Sequence, residues 1–282
     1  LDAPTEGSIA LEGEDVSAAG AQRRTEIRKR RIGMIFQRAH LLARRTALDF
    51  RPTHLAWLGT GEPRDDKVLA PVEASALLAA EVVVEEKLDG ANLGFSIGID
   101  GNVRAQNRGQ YLLPPFGGQF ARLGAWITAH ENDLFDALDN HLIAFGEWCA
   151  ARHSLGYTAL PDWWLVFDIY DRREGRFWST RRRDDWAFNL DLPMVPDLSR
   201  GQIDLAGLEQ LLYHQHSRYR GGLLEGVVVR VEDDDWLHQR AKLVRSDFTQ
   251  QIEQHWRNRR LVWNHLATKS PSALSTSFAP PR

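Results

Sequence analysis

Cysteine is almost absent: Cys149 is the single one in 282 residues. One thiol closes no internal disulfide and builds no zinc site of its own, so a reducing, cytoplasmic setting is expected. Long apolar runs are missing too. None approaches the roughly 18 residues of a membrane span, and no charged-then-apolar leader opens the sequence, so no membrane partner is expected. Charge of one sign is lacking: 35 Lys+Arg against 38 Asp+Glu leave a net charge of −3. Any polyanion must then be met by a local patch rather than by the molecule as a whole. There is no GxxxxGK phosphate loop and no nucleophile elbow, and His54, His153 and His255 show no metal-ligand spacing. These absences argue against a P-loop ATPase and an α/β-hydrolase. What remains is a soluble globular balance of 43% apolar and 26% charged residues, with ten tryptophans.

Two composition regimes divide the chain. Residues 1–50 carry the basic run RRTEIRKRR (23–31) ahead of IGMIFQRAHLLARRT (32–46). The segment GSIALEGEDV…RRIGMIFQRAHLLARRT resembles the stretch of ABC-transporter ATPases that leads through the Q-loop, with Gln37 at that position. LSRGQ (198–202) mimics the transporter signature, but no Walker B strand follows it and no phosphate cradle precedes it. A non-functional remnant over 1–50 is expected, and chance accounts for LSRGQ.

From about Arg51 the text changes. RPTHLAWLGTGEPRDDKVL (51–69) reads as irregular entry structure and PVEASALLAAE (71–81) as a helix. VVVEEKLDG (82–90) is a β-branched strand that stops at a tight Asp-Gly turn, and 91–109 reads as a hairpin with a second such turn. Apolar positions Phe120, Leu123, Trp126, Ile127, Leu134, Phe135 and Leu138 recur at helical spacing. HLIAFGEW (141–148) and WWLVFDIYD (163–171) are strand-like, and 205–214 is a short helix. LLEGVVVRVE (223–232) and HQRAKLVR (238–245) form a hairpin pair, and 247–266 is expected to be a terminal helix. Strands and helices alternate irregularly and lack Gly-rich βα turns, which favours α+β with antiparallel sheets over a doubly wound fold. The expected division is 1–50, a domain over 51–266, and a disordered tail over 267–282.

Lysine is ordinarily a surface residue, but Lys87 sits at the end of an apolar strand beside an Asp-Gly turn. A lysine held there can project into a cleft, where its surroundings tune the amine for attack. Glu147, Asp168, Glu225 and Lys242 are likewise set in apolar strand text. Carboxylates and cations lining one cleft suit a nucleoside triphosphate with its metal.

EKLDGAN (86–92), NRG (107–109), FGEW (145–148), FDIYD (167–171), EGVVVR (225–230) and RAKLVR (240–245) occur in the order of the nucleotidyltransferase motifs of RNA and DNA ligases and capping enzymes. Over about 52–265 the chain resembles the ATP-dependent RNA ligase family. That resemblance implies an α+β nucleotidyltransferase (ligase adenylation-domain) fold, with antiparallel sheets flanking a nucleotide cleft. It implies ATP and Mg²⁺ or Mn²⁺ as cofactors, and RNA or a nicked duplex as substrate. Lys87 matches the lysine that attacks the α-phosphate, Glu86 a position whose backbone touches adenine, and Asn92 a polar contact near the α-phosphate and its metal. Arg108 matches an arginine that meets phosphate or the substrate end, Glu147 the ribose-binding carboxylate, and Phe167 the aromatic stacked on adenine. Glu225 matches the carboxylate tied to the metal, and Lys242 a phosphate-binding lysine. The last motif is usually Lys-x-Lys. Here it reads Arg240-Ala241-Lys242, with Lys242/Arg245 as the other register, and a rigid fork replaces a point charge.

His54, His153 and His255 read as structural or surface residues. Arg181, Arg182, Arg183, Arg257, Arg259 and Arg260, with Trp178, Trp186, Trp256 and Trp263 nearby, are candidates for tracking nucleic-acid phosphates. The sequence stops about 37 residues after the last motif, too short for an OB domain of ordinary size. No OB domain is therefore expected, and an end-healing or strand-binding partner is. The alternatives are a DNA ligase or other nucleotidyltransferase, a transporter nucleotide-binding fragment, and a non-catalytic nucleic-acid-binding module.

Overall fold

The computed structural model describes residues 52–59, 67–108, 110–251 and 261–268, together with β1 (Ala10–Leu11) and β2 (Glu14–Asp15), which pair with each other. Apart from that pair, the expected remnant over 1–50 lies outside the described residues, as does the tail from 269 on.

The described chain opens with β3 (Thr53–His54) and α1 (Pro71–Leu78). It continues through β4 (Val82–Lys87), β5 (Ala91–Ile97), β6 (Val103–Asn107) and β7 (Gln110–Leu112). Next come α2 (Leu123–Leu138), β8 (Leu142–Trp148), β9 (Trp164–Asp171), β10 (Arg176–Phe177) and α3 (Thr180–Phe188). The order ends with β11 (Asp197–Gly201), α4 (Leu205–His214), β12 (Gly226–Glu232), β13 (Leu237–Val244) and α5 (Ser246–Gln251).

The strands form two sheets. The larger runs β10-β9-β8-β5-β6-β7 and is antiparallel throughout; the smaller runs β11-β4-β12-β13-β3, with only β13 and β3 parallel. Each has one apolar face. Leu93, Phe95, Ala144, Trp148, Trp164 and Val166 pack beneath Leu123, Trp126, Leu134 and Leu138 of α2, which explains the helical spacing of those four residues. Val82, Val84, Val227, Val229, Ala241 and Leu243 bury against Leu77 of α1 and Leu208 and Leu212 of α4. Side-chain alternation then turns the other face of each sheet toward the other sheet. Those inner faces are joined by ion pairs such as Arg230 Nη1 to Asp168 Oδ1 at 2.8 Å and Arg183 Nη1 to Glu85 Oε1 at 2.6 Å.

Helix starts follow local chemistry. Pro71 opens α1 while the Glu73 carboxylate accepts the Ala70 N–H at 2.8 Å. Ser179 caps α3, and Asp204 caps α4 by accepting from Gly207 N at 2.8 Å.

LSRGQ begins within β11, an edge strand against β4. One expectation changes. The terminal helix does not extend to 266. α5 ends at Gln251 and residues 252–260 lie outside the described residues. Residues 261–268 are extended, with bridges Ala151↔Trp263 and Leu160↔Leu266. Asn264 is buried there, accepting from Tyr157 N at 2.9 Å and donating to Cys149 O at 2.8 Å. Such side-chain bonds to backbone suit an extended segment better than a helix.

Candidate active site

The chain crosses from the small sheet to the large one in three residues. β4 ends at Lys87, Leu88-Asp89-Gly90 make the passage, and β5 begins at Ala91. A Cβ on Gly90 would lie 2.6 Å from the Trp148 carbonyl oxygen, so only glycine passes that close. Asp89 pins the crossing to the loop that follows β8. Its Oδ2 accepts from Ser154 N at 2.7 Å and Leu155 N at 2.6 Å, and its own N–H donates to Tyr157 Oη at 2.7 Å. The spacing K-x-D-G thus ends a strand, staples a turn and passes a backbone.

Gly226 pairs with Lys87 across β12, and its missing Cβ would meet the Leu243 carbonyl oxygen at 2.6 Å. That tight start places Glu225 just outside the sheet, beside the lysine. Lys87 Nζ donates to Glu225 Oε1 at 2.6 Å. On the large sheet the register sets Asn92 opposite Glu147, and Glu147 Oε1 accepts the Gly90 N–H at 3.0 Å. Lys87, Glu225, Glu147 and Asn92 therefore meet where the sheets meet.

The electrostatics are unsettled. Burial pushes the Glu225 carboxyl up to about 7 and nearby Asp89 adds to this, while the Lys87 charge only partly opposes it. Burial likewise pushes Glu147 up to about 7, against Lys87 and Arg108. For Lys87, burial acts to lower the ammonium, but Glu225, Glu147 and Asp89 overcome it and hold it above the ordinary lysine range. The amine is thus kept as a charged partner of carboxylates that themselves ionise reluctantly.

Of the buried side-chain oxygens without a hydrogen-bond partner, two lie at this junction: Glu225 Oε2 and Asn92 Oδ1. Among the described residues no group of three or more His, Cys, Asp or Glu is set to hold a metal. One carboxylate and one amide oxygen do fit a hard cation whose other ligands come from water and phosphate.

The other expected residues divide by surroundings. Glu86 points away from Lys87 along β4. Its carboxylate, pushed up by burial, accepts from Arg218 N at 3.1 Å, and its N–H is taken by the Pro196 carbonyl at 2.8 Å. Phe167 is the extra residue of a bulge in β9, since Phe145 pairs with Asp168 and Gly146 with Val166. It is also the one half-buried residue of an otherwise buried strand, and so presents ring surface to the cleft. Its carbonyl accepts from Arg183 Nη1 at 2.8 Å and Arg230 Nη1 at 3.4 Å. Arg108 is exposed at the β6–β7 turn, within charge reach of Glu147 and His153.

Alternation in β13 puts Arg240 and Lys242 on the cleft face, opposite Arg230 and Val228. Arg245 lies beyond the strand and donates through Nε to Asp247 at 3.0 Å. Arg240 ion-pairs with Asp168 and lies over the Phe177 ring at 4.2 Å, so it also serves the union of the sheets.

The expected basic patch splits. Arg183 is 1% exposed, in the Glu85 ion pair, and is no surface cation. Arg181 and Arg182 are tied to Asp235, and Arg182 lies over the Trp178 and Trp236 rings at 4.3 and 4.6 Å. Trp186 packs on the core, while Trp263 lies against Arg122 at 4.4 Å. Trp256, Arg257, Arg259, Arg260 and His255 lie outside the described residues.

His54 is buried against Trp57, as expected of a structural histidine. His153, expected to be a structural or surface residue, is partly buried at the rim of the site. Its Nε2 is 2.7 Å from Gln119 Oε1, and burial lowers its pKa while Asp89 raises it and Arg108 and Lys87 lower it. Sequence reasoning also missed Asp89, Tyr157 and Glu85. Only Asp89 left a signal, in its place within K-x-D-G.

Among known proteins, a mutant of the Naegleria gruberi RNA ligase with ATP and Mn shares the fold, with a TM-score of 0.50 and 16% identity over 71% of this chain and 59% of that one. An archaeal ATP-dependent RNA ligase gives 0.47 and 18%, over 67% and 49%. The chain thus spans about three-fifths of the first structure and half of the second. A separate short likeness, 49% identical over 49 residues, links 17% of the chain to 21% of an uncharacterized ABC transporter ATP-binding protein of Thermotoga maritima. No helix among the described residues is long and apolar enough to cross a membrane. The RNA ligase family description matches residues 80–244, the span from just before β4 to the end of β13 that builds both faces of the cleft, and the chain belongs to the RNA ligase family.

Proposed function

We propose that the protein is an ATP-dependent RNA ligase that joins a 5′-phosphate to a 3′-hydroxyl through AMP carried on Lys87. The observation that carries this reading is the Lys87 amine, 2.6 Å from Glu225 at the junction of the two sheets, with Glu147 and Asn92 beside it. In the first step Nζ attacks the α-phosphorus of ATP, the bond to pyrophosphate breaks, and a phosphoramidate forms. The amine must give up a proton first. Glu225 Oε1, 2.6 Å from Nζ, is placed to take it. Glu147 offers a carboxylate for ribose hydroxyls, Phe167 a face for the base, and Lys242 a charge for phosphate.

Glu225 and Asn92, through the oxygens without partners, would hold a divalent cation, which would supply charge neutralisation on the phosphates. Transfer of AMP to a 5′-phosphate follows, then attack by the 3′-hydroxyl with release of AMP. The related Naegleria gruberi structure was obtained with ATP and Mn, in keeping with this choice of nucleotide and metal. We place the reaction in the cytoplasm, on RNA ends or a nicked duplex, with an end-healing or strand-binding partner.

The test is incubation with Mg²⁺ and α-labelled ATP, followed by denaturing electrophoresis. The wild type should carry a label that survives denaturation, and Lys87→Ala should carry none. Absence of label on wild-type protein freed of bound AMP would sink the reading. Sealing of RNA against DNA nicks by the labelled protein then decides the strand.

A further inference from the structure

The inner face of the large sheet continues past the candidate site to an open edge. Ala105 points into the core beneath α2, so its neighbours Arg104 and Gln106 turn to the cleft side. A Cβ on Gly94 would lie 2.9 Å from the Phe145 ring and 3.2 Å from Gln106 Cγ, which sets Gln106 on that face beside Phe145. β7 pairs Tyr111 with Gln106, and the Arg104 guanidinium lies 5.5 Å from the centre of the Tyr111 ring. Tyr111 is 45% exposed and the Arg104 side chain 37%. Arg108 stands at the turn between the two strands, at the end nearer Glu147. Arg172 brings a further cation within charge reach of Tyr111 and Arg104. Asp100 is ion-paired to Arg104 at 3.4 Å, but both side chains are solvated, and such a pair yields readily to a phosphate.

Arginines spaced along one face of a strand at about 3.4 Å per residue, with an exposed aromatic ring between them, make a track for a polynucleotide. Guanidinium groups meet successive phosphates while a base lies on the ring. The track leads inward: cross-strand partners carry it from Arg104 and Ser96, through Gln106 and Gly94, to the row of Asn92 and Glu147 beside Lys87. We infer that the β6–β7 edge holds the strand whose 5′-phosphate enters the cleft at Arg108, with Arg104 on a phosphate farther along that strand and Tyr111 stacked on a base. This rests on the ligase reading and adds to it the path of one substrate strand. Phosphate contacts and stacking are indifferent to base identity, so the edge takes any sequence.

The test uses protein charged with labelled AMP on Lys87, without divalent cation so that AMP stays on the lysine. It is titrated with a fluorescent, 5′-phosphorylated RNA of about 12 nucleotides at ~50 to 200 mM salt. Tyr111→Ala should weaken binding roughly 5- to 150-fold with an unchanged salt slope, and Tyr111→Phe should retain affinity. Arg104→Ala should weaken binding and flatten the dependence of log affinity on log salt by about 0.7. Wild-type affinity and wild-type salt slope in both alanine variants would overturn the inference. Wild-type protein that takes no label fails the ligase reading separately, and titration of the uncharged protein with the same RNA then decides the strand path by the same criteria.

Discussion

At one end of the cleft Glu85, Asp168 and Glu232 meet Arg183, Arg230 and Arg240, each charge answered by an opposite one across the sheets. At the other end Lys87 faces Glu225, Glu147 and Asp89, with Arg108 within charge reach of Glu147, and Glu225 Oε2 and Asn92 Oδ1 have no hydrogen-bond partner. Both ends are built from the same strands. Glu85 and Lys87 are two residues apart on β4, and Arg230 and Glu225 stand on and just before β12. The matched end holds the sheets in one relation. The unmatched end gathers carboxylates that ionise reluctantly and two buried oxygens without hydrogen-bond partners, a setting that the nucleotide and metal of the proposed reaction would complete. Rigidity at one end is what allows the other to stay incomplete.

The largest effect is expected from breaking the matched end. Arg230 is 1% exposed and bonds Asp168, Glu85 and Glu232. Arg230→Met keeps volume but leaves buried carboxylates short of a partner, and should destabilise the fold by about 3–5 kcal/mol. Denaturant unfolding measures this. A change below about 1 kcal/mol would mean that the network does not hold the sheets together.

Glu225→Gln should do the reverse, sparing stability and striking chemistry. Glutamine still accepts from Lys87 Nζ through its amide oxygen, but it takes no proton and binds a cation poorly. Lysine adenylation should fall about 10²-fold or more. Glu225 is also the largest influence raising the Lys87 ammonium, so its loss lets the amine deprotonate at lower pH. The residual rate should therefore reach its plateau at lower pH than the wild-type rate. A slower enzyme with an unmoved pH profile would show that Glu225 acts only by shape.

The contrast between the two ends also marks what could be read from the sequence. β4, β8, β9 and β12 are β-branched or aromatic runs bounded by Asp-Gly, Glu-Gly or charged residues, so their burial shows directly in the residue types. β11 (DLSRG) did not show, because an edge strand with one neighbour and a bulge keeps polar side chains. At the unmatched end, Lys87, Glu225, Glu147 and Asn92 lie within short motifs that locate them one by one. The matched end was invisible. Arg183 sits in a run of three arginines that reads as a solvated face, and its partner Glu85 lies 98 positions away. Pairings across sheets depend on register, and register follows from bulges and close glycine contacts that composition does not record.

The smallest effect discriminates most finely, and it concerns Glu147. Its folded pKa of about 7 exceeds the ordinary 4.5, chiefly because burial penalises the carboxylate. A group raised in this way contributes stability that is fully present below about 4.5 and is lost as pH climbs through 7. At pH 8 the fold then carries a buried charge that it holds at a penalty. Full burial would make that penalty roughly 3 kcal/mol, and partial solvent access reduces it to about 1–2 kcal/mol. Glu147→Gln keeps the bond from Gly90 N and removes the charge. The variant should be more stable than wild type by that amount at pH 8 and equal to it near pH 4.5, as read from denaturant unfolding across the range. It should bind ATP less well at pH 8, where the proposed ribose contact loses its carboxylate, and about as well as wild type near pH 4.5, where Glu147 is itself neutral. A stability difference that does not vary with pH, or a variant weaker at pH 8, would mean that Glu147 is ionised at no penalty, and the unmatched end would then be as settled as the other.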